Sequence, residues 1–438
     1  MNSALIERAL QTTAGLRLQL VRDFMGELPA LRGALPQLEG WLPGCLELLR
    51  QQLPLPSSVY AFVSPPFYRP PGSYRSFYCY PAALRGEPAP TASPEVGEER
   101  AVLAIKGMEP ASAELDRLLC GLIRPCYSPH NVAEHLIFEE GKIPGCVSLA
   151  EAQLEAERAA ELQGAHLRVH GQLARLPLPL LVFRHSSAVE DEVLRVLGRI
   201  LSRAALAQVI PRVKAGLGVL VYHYPSPPVR VRELEALLSG TPFRERMFAL
   251  LSLCDPEQII DGWVREFVRM LYLGFVPGSL ASLRTGSCCQ LQNACIDGGF
   301  VDLDSITRLD DLVDDTALYA ALQLSSDALL GSVRALVAGS QDPTRGETLE
   351  LRIDLHHLRT FLMERLRSAI QEEAAGGRRL DPRVAAYFIP DARFEALVRQ
   401  LGSYFSGGSA DFAAAAGRFQ QFGSALVSAA CAPAATRL

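Results

Sequence analysis

Lysine is nearly missing from this chain: of 43 Lys and Arg residues in 438, only Lys106, Lys142 and Lys214 are lysines. A composition that uses Arg wherever a positive charge will serve makes each retained ammonium a candidate for work that a wide, planar guanidinium does poorly. Basic blocks are missing too, and the formal net charge is −5. That removes the electrostatic footprint nucleic acid requires, so no nucleic-acid partner is expected. No apolar run approaches the ~18 residues needed to cross a bilayer, and no membrane partner is expected. The opening segment MNSALIERALQ carries Glu7 and Arg8 and lacks the apolar core of a signal peptide. The 10 cysteines include no CxxC pair. These absences together predict a reduced, cytoplasmic protein with buried thiols. Nor is there an internal repeat of ~20–50 residues, which excludes a solenoid.

What is present is a hydrophobic fraction of 49% and a charged fraction of 21%, in a chain long enough for two lobes or domains. Residues 1–53 alternate Leu-rich segments with Gly and Pro and read as an N-terminal helical extension. Residues 54–185 read as a sheet-containing lobe. Its runs VYAFV, SFYCY and RAVLAIK predict a small antiparallel sheet, separated by proline-rich loops such as GEPAPTASPEVGEE. A helix from Leu149 to Gln163 follows, opened by a Ser148/Glu151 capping box, and then a strand, LPLPLLVF, at the edge of a cleft with the lobe hinge near His185. Residues 186–438 read as mainly helical, with helices expected at Val189–Val209, Arg230–Leu238, Phe243–Leu253, Pro256–Phe275 and Asp315–Val337. The strand-like GLGVLVYHYPSPPVR interrupts them and carries His223, which reads either as a site residue or as a packed ring. The acidic run LDDLVDDT reads as a second cation site or as a solvated helix cap. The class expected is α+β and bilobal.

The richest segment is GSCCQLQNACIDGGFVDLDS, from Gly286 to Ser305. Ala294, Cys295 and Ile296 predict one short strand, Asp297-Gly298-Gly299 a turn, and Phe300, Val301 and Leu303 the return strand. Asn293 then stands before the hairpin and Asp302 on its second strand. An amide oxygen and a carboxylate so placed are hard ligands of the kind Mg²⁺ accepts beside phosphate oxygens. Strand alternation would put Asp304 on the face of Asp302. Lys106 ends the run RAVLAIK, where an ammonium either reaches between phosphates or snorkels to solvent. Its carboxylate partner would be Glu155, with Glu134 and Glu114 as rivals. The loop SPPFYRPPGSYR offers Arg69 and Arg75 to phosphate but only one glycine, Gly72, so it lacks the run of amides that cradles phosphate.

A strand-end Lys, a loop Asn, a hairpin and then an Asp resemble the phosphate Lys, catalytic loop and metal strand of protein-kinase-like folds. The nine-residue step from Asn293 to Asp302 is more similar to the selenoprotein O family of adenylyltransferases, and QLQN is similar to the loop of siderophore synthetases that adenylate carboxylates. The likeness implies a kinase-like bilobal fold using ATP and Mg²⁺: Lys106, Glu155 and Arg75 toward nucleotide, Asn293 and Asp302 as metal ligands, Asp304 or Gln292 orienting an acceptor. The acceptor would be a protein hydroxyl or a small carboxylate receiving AMP. The familiar bases are absent: Cys288, Gln290 and Gln292 stand where kinases, siderophore synthetases and selenoprotein O carry Asp, His and Asp. A pseudokinase-like nucleotide-binding or scaffold protein, and a purely structural hairpin, are the alternatives.

Overall fold

The computed structural model describes residues 18–34, 67–68, 76–79, 102–107, 137–138, 143, 146–224, 256–279, 286–290, 293–339 and 355–388. The chain is mixed α+β with an antiparallel sheet and several helices. It divides into two compact units, one made of Met1–Cys254 and Cys295–Asp304, the other of Asp255–Ala294 and Ser305–Leu438.

The first unit holds strand β1 (Leu18–Asp23), short helices α1 (Phe24–Glu27) and α2 (Pro29–Ala34), strands β2 (Phe67–Tyr68), β3 (Ser76–Cys79), β4 (Val102–Lys106) and β5 (Val147–Ser148), helix α3 (Leu149–His170), strand β6 (Leu178–His185), helices α4 (Ser187–Ile200) and α5 (Arg203–Ala215), and strand β7 (Leu217–Tyr224). The strands form one antiparallel sheet in the order β1-β6-β7-β4-β3-β2, with β5 also on β7. Every residue of β7 is buried and all but one of β6, which is why both read as continuous apolar runs rather than as an alternating pattern.

Several expectations change here. Residues 18–23 are not helical: they pair with Leu181–His185, so β6 is an interior strand of the sheet. The chain does not leave the sheet at His185 either. It makes α4 and α5 and returns as β7, the strand between β6 and β4. The single helix expected over 189–209 is two, because Ser202 accepts a hydrogen bond from the Ala205 N–H at 3.3 Å and starts a new helix, which then continues through Pro211. Phe67–Tyr68, placed in a loop by the sequence pattern, is a short strand on β3. VYAFV, the 86–99 loop, and the helices expected at 230–238 and 243–253 lie outside the described residues.

Helix α3 begins where the capping box predicts. The Glu151 N–H donates to Ser148 Oγ at 3.1 Å and the Ser148 N–H to Glu151 Oε2 at 3.0 Å. The helix then runs seven residues past Gln163 and ends on Gly171. Its buried stripe includes Ala152, Ala156, Ala159 and Ala160, small residues that let it lie close on β7.

The second unit contains α6 (Pro256–Tyr272), β8 (Phe275–Val276), β9 (Gly278–Ser279), β10 (Gly286–Ser287), β11 (Thr307–Arg308), α7 (Asp315–Gly339), α8 (Leu355–Ala375) and α9 (Pro382–Phe388). β9 pairs with β10 and β8 with β11. Asp314 accepts from the Thr316 N–H at 3.0 Å, so the acidic run ends as a cap on α7. Trp263, Phe267 and Phe388 are fully buried in this unit, with Phe267 and Phe388 edge-to-face at 6.1 Å.

Candidate functional site

Three distant pieces of the first unit meet at Lys106. Strand β4 delivers the side chain from its last residue, and Gly107 follows with φ 90° and its Cα against the Gly218 carbonyl, a spot where any side chain would collide. In the β4/β7 register Lys106 faces Leu220 and Ala104 faces Tyr222, so Lys106, Ala104 and Tyr222 share one face of the sheet. Gly218 lies two residues before Leu220 on that face, and a methyl there would stand 2.7 Å from the Ala152 Cβ of α3. Helix α3 therefore covers the face from which Lys106 projects, and Glu155, one turn beyond Ala152, meets it.

Lys106 Nζ donates to Glu155 Oε2 at 2.7 Å and forms a second, shorter ion pair with Asp302. Lys106 is 4% exposed and Glu155 1%, so this ammonium is a buried counter-charge and does not snorkel. Burial, together with the negative charges of Asp302 and Asp304, raises the Glu155 carboxyl to about 7 in spite of Lys106, which pulls it down. Among the described residues Lys106 is the cation that acts on the Glu155 carboxyl, beside the negative charges of Asp302 and Asp304. Burial, and next the charge of Glu155, also raises the Tyr222 phenol; its hydroxyl has no partner at hydrogen-bonding geometry among the described residues.

Asp302 arrives by a route the sequence pattern does not predict. The Asp297-Gly298-Gly299 turn forms: the Gly298 N–H donates to the Cys295 carbonyl at 3.1 Å, the Cys295 N–H to the Gly299 carbonyl at 3.0 Å, and the Gly299 N–H to Asp297 Oδ1 at 2.9 Å. The return segment is not a strand through Asp302. Asp302 has φ 57°, the one positive φ among described residues other than glycine, and Leu303–Ser305 is a 3₁₀ turn. Strand alternation therefore does not relate Asp302 to Asp304; the left-handed residue and the 3₁₀ turn set their directions instead.

No protein family, curated protein or solved structure matches this chain.

Of the other residues singled out, Asn293 lies in the second unit, buried, with its Nδ2 donating to the Ser287 carbonyl at 3.4 Å. Gln292, Arg75, Arg69, Gly72, Glu134 and Glu114 lie outside the described residues. Cys288 is fully buried, its Sγ 4.0 Å from the Pro277 carbonyl. His223 is 2% exposed, and burial holds its ring down at about 4, so it is a packed neutral ring. Among the described residues no group of three His, Cys, Asp or Glu side chains stands ready to hold a metal. Among the described residues no helix is long and apolar enough to cross a membrane. Sequence reasoning missed Tyr222, whose place beside Ala104 follows only from the strand register.

Proposed function

We propose that the chain is an ATP- and Mg²⁺-dependent transferase with a bilobal, protein-kinase-like fold, in which Lys106 contacts the nucleotide phosphates and Asp302 binds the metal. The observation that carries this reading is the meeting of Lys106, Glu155 and Asp302 from a strand end, a helix and a post-hairpin loop. A Lys held by a helix Glu and set beside a metal-binding Asp is the working arrangement of kinase-like phosphate sites.

AMP transfer to a protein hydroxyl or a small carboxylate is the preferred chemistry. A carboxylate acceptor needs no proton removed, and Cys288, at the position of the kinase base, is a buried thiol. That same burial favours a second reading, a pseudokinase-like protein that binds nucleotide without turnover.

The first test is the unfolding midpoint with millimolar ATP and Mg²⁺, since a ligand of the folded state raises it by mass action. Wild type should rise by several degrees and Asp302→Asn should not; Asn keeps the left-handed backbone accessible while removing the charge. Equal behaviour of the two proteins refutes the site. ATP labelled at the α- or the γ-phosphorus then separates the chemistries: transfer of α label supports AMP transfer, γ label alone means phosphotransfer, and neither leaves the binding protein.

A further inference from the structure

We infer that Gln163 and Arg175 form a brace that ties the placement of Asp302 to helix α3, making Arg175 a positioning residue for the Lys106 site. For its consequence on ligand binding this rests on the reading above. Gln163 lies two turns beyond Glu155 on the same helix and is 1% exposed. Its Nε2 donates to the Ala174 carbonyl at 3.2 Å and the Leu176 carbonyl at 2.7 Å, while its Oε1 accepts from the Ala174 N–H at 2.9 Å. These bonds fall on both sides of Arg175 and fix its backbone.

Arg175 grips the turn that leads to Asp302. Its Nη1 donates to the Asp297 carbonyl at 2.6 Å. Its own carbonyl oxygen lies so close to Gly299 that a β-carbon there would strike it. The turn is thus held two residues apart, and Asp302 follows three residues later in a left-handed backbone conformation, uncommon outside glycine. The path closes on itself: α3 sets Glu155 on Lys106, Lys106 contacts Asp302, the Asp302 segment hangs from Arg175, and Arg175 hangs from Gln163 of α3. Any shift of α3 carries both carboxylates of Lys106 together.

Gln163 is buried, so its truncation risks the fold; Arg175 is exposed, so Arg175→Ala tests the brace without that risk. Two quantities are measured: amide exchange of residues 295–304 against that of 217–224, and affinity for Mn²⁺–ATP. In Arg175→Ala, exchange at 295–304 should quicken and Mn²⁺–ATP affinity fall, each about tenfold, with exchange at 217–224 unchanged. Arg175→Lys, which still donates to the Asp297 carbonyl, should recover part of both. Unchanged exchange at 295–304 overturns the brace. Faster exchange with undiminished Mn²⁺–ATP affinity overturns the positioning role. If wild type binds no Mn²⁺–ATP while the exchange effect is present, the nucleotide reading falls and the hold of Arg175 on the Asp302 segment stands.

Discussion

Lys106 is a single ammonium buried between two carboxylates, and its removal leaves like charges facing each other in a low dielectric. Lys106→Met should cost ~3–5 kcal/mol near pH 8, the range for stripping one partner from a buried pair. Near pH 5 the loss should be smaller, because Glu155 takes up a proton and no longer needs the cation. Urea unfolding at the two pH values measures this, and equal losses would mean that Glu155 is ordinarily acidic. The sign for wild type follows from the same carboxyl. Its folded value of about 7 lies above the unfolded one, so between the two the folded chain holds a proton that the unfolded chain has released. Its contribution to stability is complete below the unfolded value and is lost as pH rises through about 7. Glu155→Gln should remove that slope, visible as a flatter urea midpoint between pH 5 and pH 8.

At the scale of elements, α3 is placed by its close approach to β7. Gly218→Ala would set a methyl 2.7 Å from the Ala152 Cβ, which the helix backbone fixes, and 3.1 Å from the Leu149 Cα of that backbone. The helix must move, at a cost of ~1–3 kcal/mol, and it takes Glu155 off Lys106 as it goes. Ser148→Ala loses the cap bond instead, worth ~1 kcal/mol, without crowding that contact. The two variants should therefore both lower the unfolding midpoint, but Gly218→Ala alone should raise the Glu155 titration further, because it removes the Lys106 contact that pulls it down, read by carboxyl NMR. Identical Glu155 titrations in the two would show that α3 tolerates the added methyl in place.

Across the whole molecule, acid sensitivity is set by buried rings as well as by carboxylates. His185, whose Nε2 lies 3.1 Å from the Gly107 carbonyl, and His223 are both buried, and burial lowers each to about 4. A histidine lowered on folding adds stability that is complete above the unfolded value of ~6.5 and is lost as pH falls toward 4. Each contributes on the order of 3 kcal/mol over that window, at ~1.36 kcal/mol per pH unit of displacement. The urea midpoint should fall on acidification below pH ~6.5, opposed in part by Glu155, and the fall should be shallower in His185→Gln with His223→Phe. An unchanged acid limb in that double variant would show that both rings are protonated within the folded chain.

The parts of this protein legible in the sequence are those decided by neighbours along the chain. The Ser148/Glu151 cap, the strand ending at Lys106, the Asp297-Gly298-Gly299 turn and the helix starting at Asp315 each rest on hydrogen bonds or dihedral preferences within a few residues. The tertiary structure decided the rest. Leu18–Asp23 is a strand because β6 offers it an edge, not because its own pattern demands one. Glu155 is the carboxylate at Lys106 because Gly218 lets α3 approach, and Asp302 joins them from 196 residues away with a backbone that no strand pattern encodes. Local periodicity carries no record of which faces will be pressed together, so the cluster of charges, and the upward push on the Glu155 carboxyl, exist only once burial has removed the water between them.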